Sequence, residues 1–211
     1  MIVVTISRQL GSGGRAIGRK VADELGIAYV DNEIVSRAAA LAGVSEEALA
    51  DVDERRPTLL SHIAELLARY PTAAELGIPA VEVEPTLSQD TFRRMFEDVI
   101  LDIGTNSSAV IIGRGGQMIL QDKPWVLRVH ILAPLSVRIE RISQREDVSL
   151  EMAEKLARDT DRNRSGYVSA YYKAHWQDPN IYDLMINTGR VDYDTAVNLI
   201  VTAARARASH D

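Results

Sequence analysis

Short apolar runs recur along the chain, and between them apolar residues return every three or four positions. Ile2-Val3-Val4-Thr5-Ile6, Ala109-Val110-Ile111-Ile112, Val126 to Leu132 and Leu184 to Thr188 are nearly continuous, the pattern of strands buried on both faces. Ala28 to Val30 adds a weaker fifth. After the first run, Ile17, Val21 and Leu25 fall at i, i+4, i+8, which predicts a helix with one buried stripe. Asp31-Asn32 predicts a capped helix to about Leu41, with Ile34, Ala38 and Leu41 on one face, and Ser45-Glu46-Glu47 opens a shorter one. Asp51 to Pro57 is a charged break. Leu59, Ile63, Leu66 and Leu67 then predict an amphipathic helix ending near Tyr70-Pro71, and Thr72 to Pro85 a flexible loop carrying Gly77, Pro79 and Pro85. Ser88 starts a long helix with the stripe Phe92, Met95, Phe96, Val99 and Ile103, stopping at Asn106. Further helices begin at Pro134-Leu135 and at Ser149.

Strands separated by helical stretches predict an α/β fold, a parallel sheet covered on both faces. We read 1–211 as one domain: a core of 1–44 and 93–148, a helical cap insertion at 45–92, a lid region at 149–178, and a core return at 179–211. In such sheets ligands bind at the carboxyl ends of the strands. The glycine-rich Gly11 to Arg15, together with Asp31 and Gly113-Arg114, all fall at such ends.

Composition narrows the classes. The 211 residues carry 46% hydrophobic and 26% charged residues, ordinary for a globular protein, and a net charge of −6. That balance argues against a nucleic-acid backbone as the main partner. The absence of cysteine removes disulfides, thiolate catalysis and cysteine metal sites. No apolar run approaches the roughly 20 residues of a membrane span, and the chain enters a strand at once, without a leader pattern. The expected location is the cytoplasm.

Strand, glycine turn and helix make a place to hold a phosphate, because glycines let N–H groups approach an anion and the helix N-terminus adds partial positive charge. A Walker loop reads G-x-x-x-x-G-K-[ST]. If Gly13 is its second glycine, Gly14 and Arg15 stand where Lys and Ser/Thr belong; if Gly14 is, Arg15 and Ala16 do. Either way the metal-holding hydroxyl is missing. Gly11-x-Gly13-x-x-Ala16 also fits a dinucleotide-binding fingerprint, with Asp31 placed to meet a ribose hydroxyl. A plain turn joining strand to helix is the third reading, and the loop alone leaves all three open.

The second half of the chain is rich in arginine. Arg138, Arg141 and Arg145 share one helix face; the next helix carries Arg158, Asp161, Arg162 and Arg164, with Asp161 and Arg164 on the face of Val168 and Tyr171. Guanidiniums beside a phosphate loop suit phosphoryl transfer, which asks for electrostatics and positioning. Taken alone, such helices are more often solvated faces laced with ion pairs. Arg8 reads equally as a phosphate contact or a turn residue. Lys20 reads as surface, Trp176 as a hydrophobic clamp, and His62, His130 and His175 as structural, since none has a partner at metal spacing.

Three stretches carry a resemblance: Thr5 to Arg15, Ala109 to Gly116, and Asp159 to Arg164, followed by Tyr171-Tyr172, Trp176 and Tyr182 to Thr188. With these the chain resembles the cytidylate kinase-like family of P-loop proteins over nearly its whole length except about 45 to 90. The resemblance implies strand order 2-3-1-4-5, a monophosphate-binding cap, a lid, ATP, Mg²⁺ and a nucleoside monophosphate acceptor such as CMP or dCMP. It implies that the loop from Gly11 through Ser12, Gly13, Gly14 and Arg15 to Ala16 binds donor phosphates, with Arg15 in the role of the Walker lysine. Arg114, Asp31 and Asp161 would meet the acceptor, and Arg158, Arg162 and Arg164 would close over the transferring group. No protein metal ligand is expected, and the partner is a small-molecule nucleotide rather than nucleic acid or membrane; self-association is left open. True cytidylate kinases keep the Walker lysine and a hydroxyl after it, whereas this chain does not. A non-catalytic nucleotide-binding module of the same fold is therefore the competing reading, and an NAD(P)-dependent oxidoreductase the third.

Overall fold

A computed structural model of the chain describes residues 1–31 and 89–208. The helices and loop expected between Asn32 and Ser88, and with them most of the cap insertion, lie outside the described residues.

Five strands, β1 (Val3–Arg8), β2 (Ala28–Val30), β3 (Ala109–Ile112), β4 (Val126–Leu132) and β5 (Leu184–Asn187), form one parallel sheet in the order β2-β3-β1-β4-β5. Six described helices connect or cover them: α1 (Gly14–Leu25), α2 (Gln89–Asn106), α3 (Gly116–Ile119), α4 (Leu135–Glu146), α5 (Leu150–Tyr172) and α6 (Tyr193–Ala208). All five strands fall where the apolar runs predict them. The order corrects the dinucleotide-binding alternative. There β1 would lie between β2 and β4; here its neighbours are β3, through Val4 and Val110, and β4, through Val4 and Leu127.

Burial explains why β1 sits at the centre. Val3, Val4, Thr5, Ile6 and Ser7 are all buried, so both faces of the strand are covered. One face packs Val4, Ile6, Val110, Ile112, Val129 and Ile131 against Ile17 and Val21 of α1 and against Val197 and Ile200 of α6. The i, i+4 spacing of α1 thus becomes the helix layer. The chain pattern did not single out α6, although its burial is as complete as that of α1, nor the four-residue α3.

The long helix at Ser149 forms as predicted: Ser149 Oγ accepts a hydrogen bond from the Met152 amide at 3.2 Å, an N-cap, and the helix runs to Tyr172. Its inner residues Ala153 and Ala157 pack on Ile142 of α4. Small residues there let the two arginine-bearing helices approach closely, and this sets which guanidiniums face inward.

Candidate active site

β1 ends at Arg8, and the chain turns through Gln9 to Gly13 into α1. Gly11 (φ 80°) and Gly13 (φ 84°) are left-handed, a conformation that costs L-residues roughly 1–2 kcal/mol. A Cβ at Gly13 would also fall inside the Tyr193 ring. The turn is pinned on every side. Gln9 donates its amide to Ile131 O (3.0 Å) and accepts from the Ala133 amide through its side chain (3.1 Å). Ser12 Oγ lies within hydrogen-bond distance of Gln9 O (2.9 Å) and Ile131 O (3.0 Å), and Thr188 Oγ1 donates to Ser12 O (2.8 Å). Leu10 is held by both peptide groups: its amide donates to Asp161 Oδ1 at 3.0 Å and its carbonyl accepts from Arg138 Nη1 at 3.1 Å. Arg138 closes the ring by donating to Asp161 Oδ2 at 2.7 Å. The first-turn amides of α1, from Gly14 to Ala16, have no intrahelical acceptor, and no side chain caps that helix. They form a rigid, open row of donors.

Two cavities flank this turn. One, of about 430 Å³, is lined by Ser7, Arg114, Gly115, Asn163, Tyr167 and Trp176. The other, of about 620 Å³, is lined by Gly11, Gly13, Gly14, Ala16, Arg141 and Tyr193. Arg8, Arg15 and Arg164 line both. Arg164 Nη1 donates to Arg8 O at 2.7 Å, which ties α5 to the end of β1. The three guanidiniums repel one another: Arg164 and Arg15 both depress the pKa of Arg8, after burial, to about 9, and Arg15 helps depress that of Arg164. Even so lowered, Arg8 stays a cation at neutral pH. A site that concentrates positive charge in this way favours an anion.

Arg114 lies at the carboxyl end of β3 in a left-handed conformation (φ 52°), its guanidinium 4.2 Å over the Phe96 ring. Its buried Nε has no hydrogen-bond partner among the described residues, and burial lowers its pKa. Trp176, read as a clamp, is 3% exposed and does more: Nε1 donates to Ser7 Oγ at 2.8 Å, and its ring meets His130 edge-on at 5.3 Å. His130 is fully buried among Trp176 and Tyr182, and burial with nearby Arg164 drops its pKa to about 4. It is a neutral core histidine, as expected.

The structure brings Gly11, Gly13, Gly14, Arg15, Ala16, Arg114 and Arg164 to the cavities. Others stand apart. Ser12 is fully buried beneath the turn, its hydroxyl turned to carbonyls. Arg158 pairs with Glu154 at 2.7 Å and Arg162 with Asp159 at 3.2 Å, both on the exposed side of α5 and in neither cavity. Asp161 lines neither cavity, because its oxygens are taken by Leu10 and Arg138. Asp31 is buried (5%) at the end of β2, where its charge reaches Arg8 and Tyr29. The arginine face on α4 also divides. Arg138 is a buried tie, and Arg141 donates to Thr188 O (2.8 Å) while its guanidinium lies 5.3 Å over Tyr193. Tyr193 had no signal in the chain pattern. Arg8 had the same one that marks Arg114, a cation at the end of a buried strand.

Among the described residues no group of three His, Asp or Glu could hold a metal. The hydroxyls of the turn do not fit a Walker-type contact either: the Ser/Thr position is Arg15 in one frame and Ala16 in the other, and Ser12 Oγ is occupied.

The model of the cytidylate kinase-like family matches residues 3–190. The cytidylate kinase of Methanothrix thermoacetophila is 27% identical over 207 residues, covering 97% of this chain and 99% of that protein. Among solved structures, a protein of Eubacterium ventriosum superposes with TM-score 0.71 at 22% identity, over 98% of this chain and 99% of that one. The shikimate kinase of Acinetobacter baumannii, with shikimate bound, superposes with TM-score 0.50 at 12% identity, over 98% and 94%.

Proposed function

Because the chain belongs to the cytidylate kinase-like family, we propose that it transfers the terminal phosphoryl group of MgATP to a nucleoside monophosphate, with CMP or dCMP the first acceptors to try. The observation that carries the reading is the shared wall. Two cavities large enough for small polar ligands meet at Arg8, Arg15 and Arg164. A phosphoryl group passing between two nucleotides must cross such a junction, and cations fixed there stabilise its charge in the transition state. The glycine turn and the row of α1 amides would cradle donor phosphates, with Tyr193 and Arg141 beside them. Arg114, Tyr167 and Asn163 would line the acceptor side, and residues 45–92 would serve as its cap and 149–178 as its lid. Closing α5 over the junction would exclude water and limit idle ATP hydrolysis.

The missing lysine and hydroxyl favour a second reading, a module that binds nucleotide without turning it over. ADP release from ATP and Mg²⁺, followed with each nucleoside monophosphate in turn, separates the two. We expect turnover that requires a pyrimidine monophosphate. Saturable nucleotide binding by calorimetry with no turnover across the panel would establish the binding module instead.

A further inference from the structure

Gly13 caps α1, so the frame in which it is the second Walker glycine is the one this turn adopts. In that frame the first glycine position is Arg8 and the lysine position is Gly14. The two are side by side. A Cβ added at Gly14 would lie 2.6 Å from Arg8 Cβ and 2.9 Å from Arg8 Cγ, closer than two such atoms can stand. The stem of Arg8 fills the space in which a side chain at position 14 would begin. From there Arg8 reaches across to β3: its Nη1 packs against Gly113, where any Cβ would overlap it. The guanidinium thus lies between the turn and the end of β3, on the wall common to both cavities. Tyr29 of β2 and Asp31 just after it face Arg8 from one side, Arg15 from α1 and Arg164 from α5. No side chain among the described residues accepts a hydrogen bond from it.

We propose that Arg8 and Gly14 are a transposed pair: the phosphate-loop cation has moved from the first turn of the helix to the end of the strand, and position 14 is glycine because the arginine occupies its space. The inference rests on the phosphotransfer reading and deepens it. It also moves the lysine's role from Arg15 to Arg8. Arg15 is exposed at the rim, whereas Arg8 is held by packing on Gly14 and Gly113. A guanidinium there can grip two phosphate oxygens at once, one from each side of the junction. It accounts together for two departures from the Walker pattern, a large residue at the first glycine and no side chain at the lysine, and for the glycine at 113.

The test is a swap. Wild type, Arg8→Gly, Gly14→Lys and the double variant are compared for binding of MgATP and of inorganic triphosphate by calorimetry, and for thermal unfolding. Arg8→Gly should keep its fold and bind triphosphate roughly 10–10²-fold more weakly, the range for losing a charge-assisted hydrogen bond to an anion. Gly14→Lys should lower Tm, because its stem meets Arg8. The double variant should regain both the Tm lost by Gly14→Lys and most of the binding lost by Arg8→Gly. If Arg8→Gly binds triphosphate like wild type, or if the double variant shows only the sum of the two single losses, the transposition is wrong even though the kinase reading stands. If the wild type binds neither MgATP nor triphosphate, the phosphotransfer reading falls first and the transposition with it.

Discussion

Arg164→Ala lowers the rate of phosphoryl transfer by roughly 10³-fold or more and leaves the fold in place. Arg164 is the arginine of α5 that the structure carries to the junction. It lines both cavities, holds Arg8 through its carbonyl at 2.7 Å, and is biased by burial and by the other arginines toward accepting an anion. The variant loses one hydrogen bond to a backbone carbonyl, about 1 kcal/mol, so Tm should fall by only about 2–4 °C. Arg158→Ala and Arg162→Ala should change the rate far less, because both side chains are exposed in ion pairs with their own helix. Initial rates of ADP formation at saturating ATP and acceptor, beside thermal unfolding, measure this. A loss at Arg158 or Arg162 equal to that at Arg164 would mean that α5 turns as it closes. A loss at Arg164 within about tenfold would sink its assignment.

Asp161→Ala should cost about 3–5 kcal/mol of stability, the range for breaking a buried ion pair, and lower Tm by roughly 6–20 °C. Asp161 joins three elements. It receives the Leu10 amide from the glycine turn, Arg138 from α4, and stands 4.0 Å from Arg164 on its own helix. Its side chain is 15% exposed and that of Arg138 only 7%. Without the carboxylate, Arg138 keeps a buried charge with carbonyls alone, those of Ala133 and Leu10. Arg138→Met removes that charge and fills part of its volume. The double variant should therefore be less destabilised than the sum of the single ones, a coupling expected for groups sharing one network. Equal and additive losses in denaturant unfolding would show that the pair contributes nothing beyond its separate contacts. The turn should also loosen, since Leu10 loses one of the two partners that hold its peptide.

Asp161 and Arg164 lie less than one helical turn apart on α5 and share a face, yet one ties the glycine turn to α4 and the other lines both cavities, and that difference marks what the chain pattern can tell. Strands and their burial follow from runs such as Val3-Val4 and Val110-Ile111-Ile112, because a strand covered on both faces must be apolar throughout, and that is a property of adjacent residues. The start of α5 follows in the same way, from Ser149 and the Met152 amide it caps. The glycine turn is visible because left-handed φ at Gly11 and Gly13 leaves few other residues to choose from. The family resemblance carries the strand order, which the apolar runs alone could not order.

Which arginine does what is another matter. Arg138, Arg141, Arg158, Arg162 and Arg164 look alike as a string, and helical spacing groups them by face without saying what the face meets. Only the packing of α4 on α5 through Ile142, Ala153 and Ala157 decides that Arg138 is buried against Asp161, that Arg164 reaches Arg8, and that Arg158 and Arg162 turn to water. Tyr193 against Gly13 and Arg8 against Gly14 are likewise invisible in one dimension, because each joins residues whose neighbourhood is made by folding. Local conformation is set by short-range sterics and burial, so the sequence by itself determined the five strands, the helices α1, α2, α4 and α5, the turn and the sheet edge where chemistry belongs. The charge arrangement of the site depends on which side chains desolvate one another across elements, and that was decided by the tertiary structure alone.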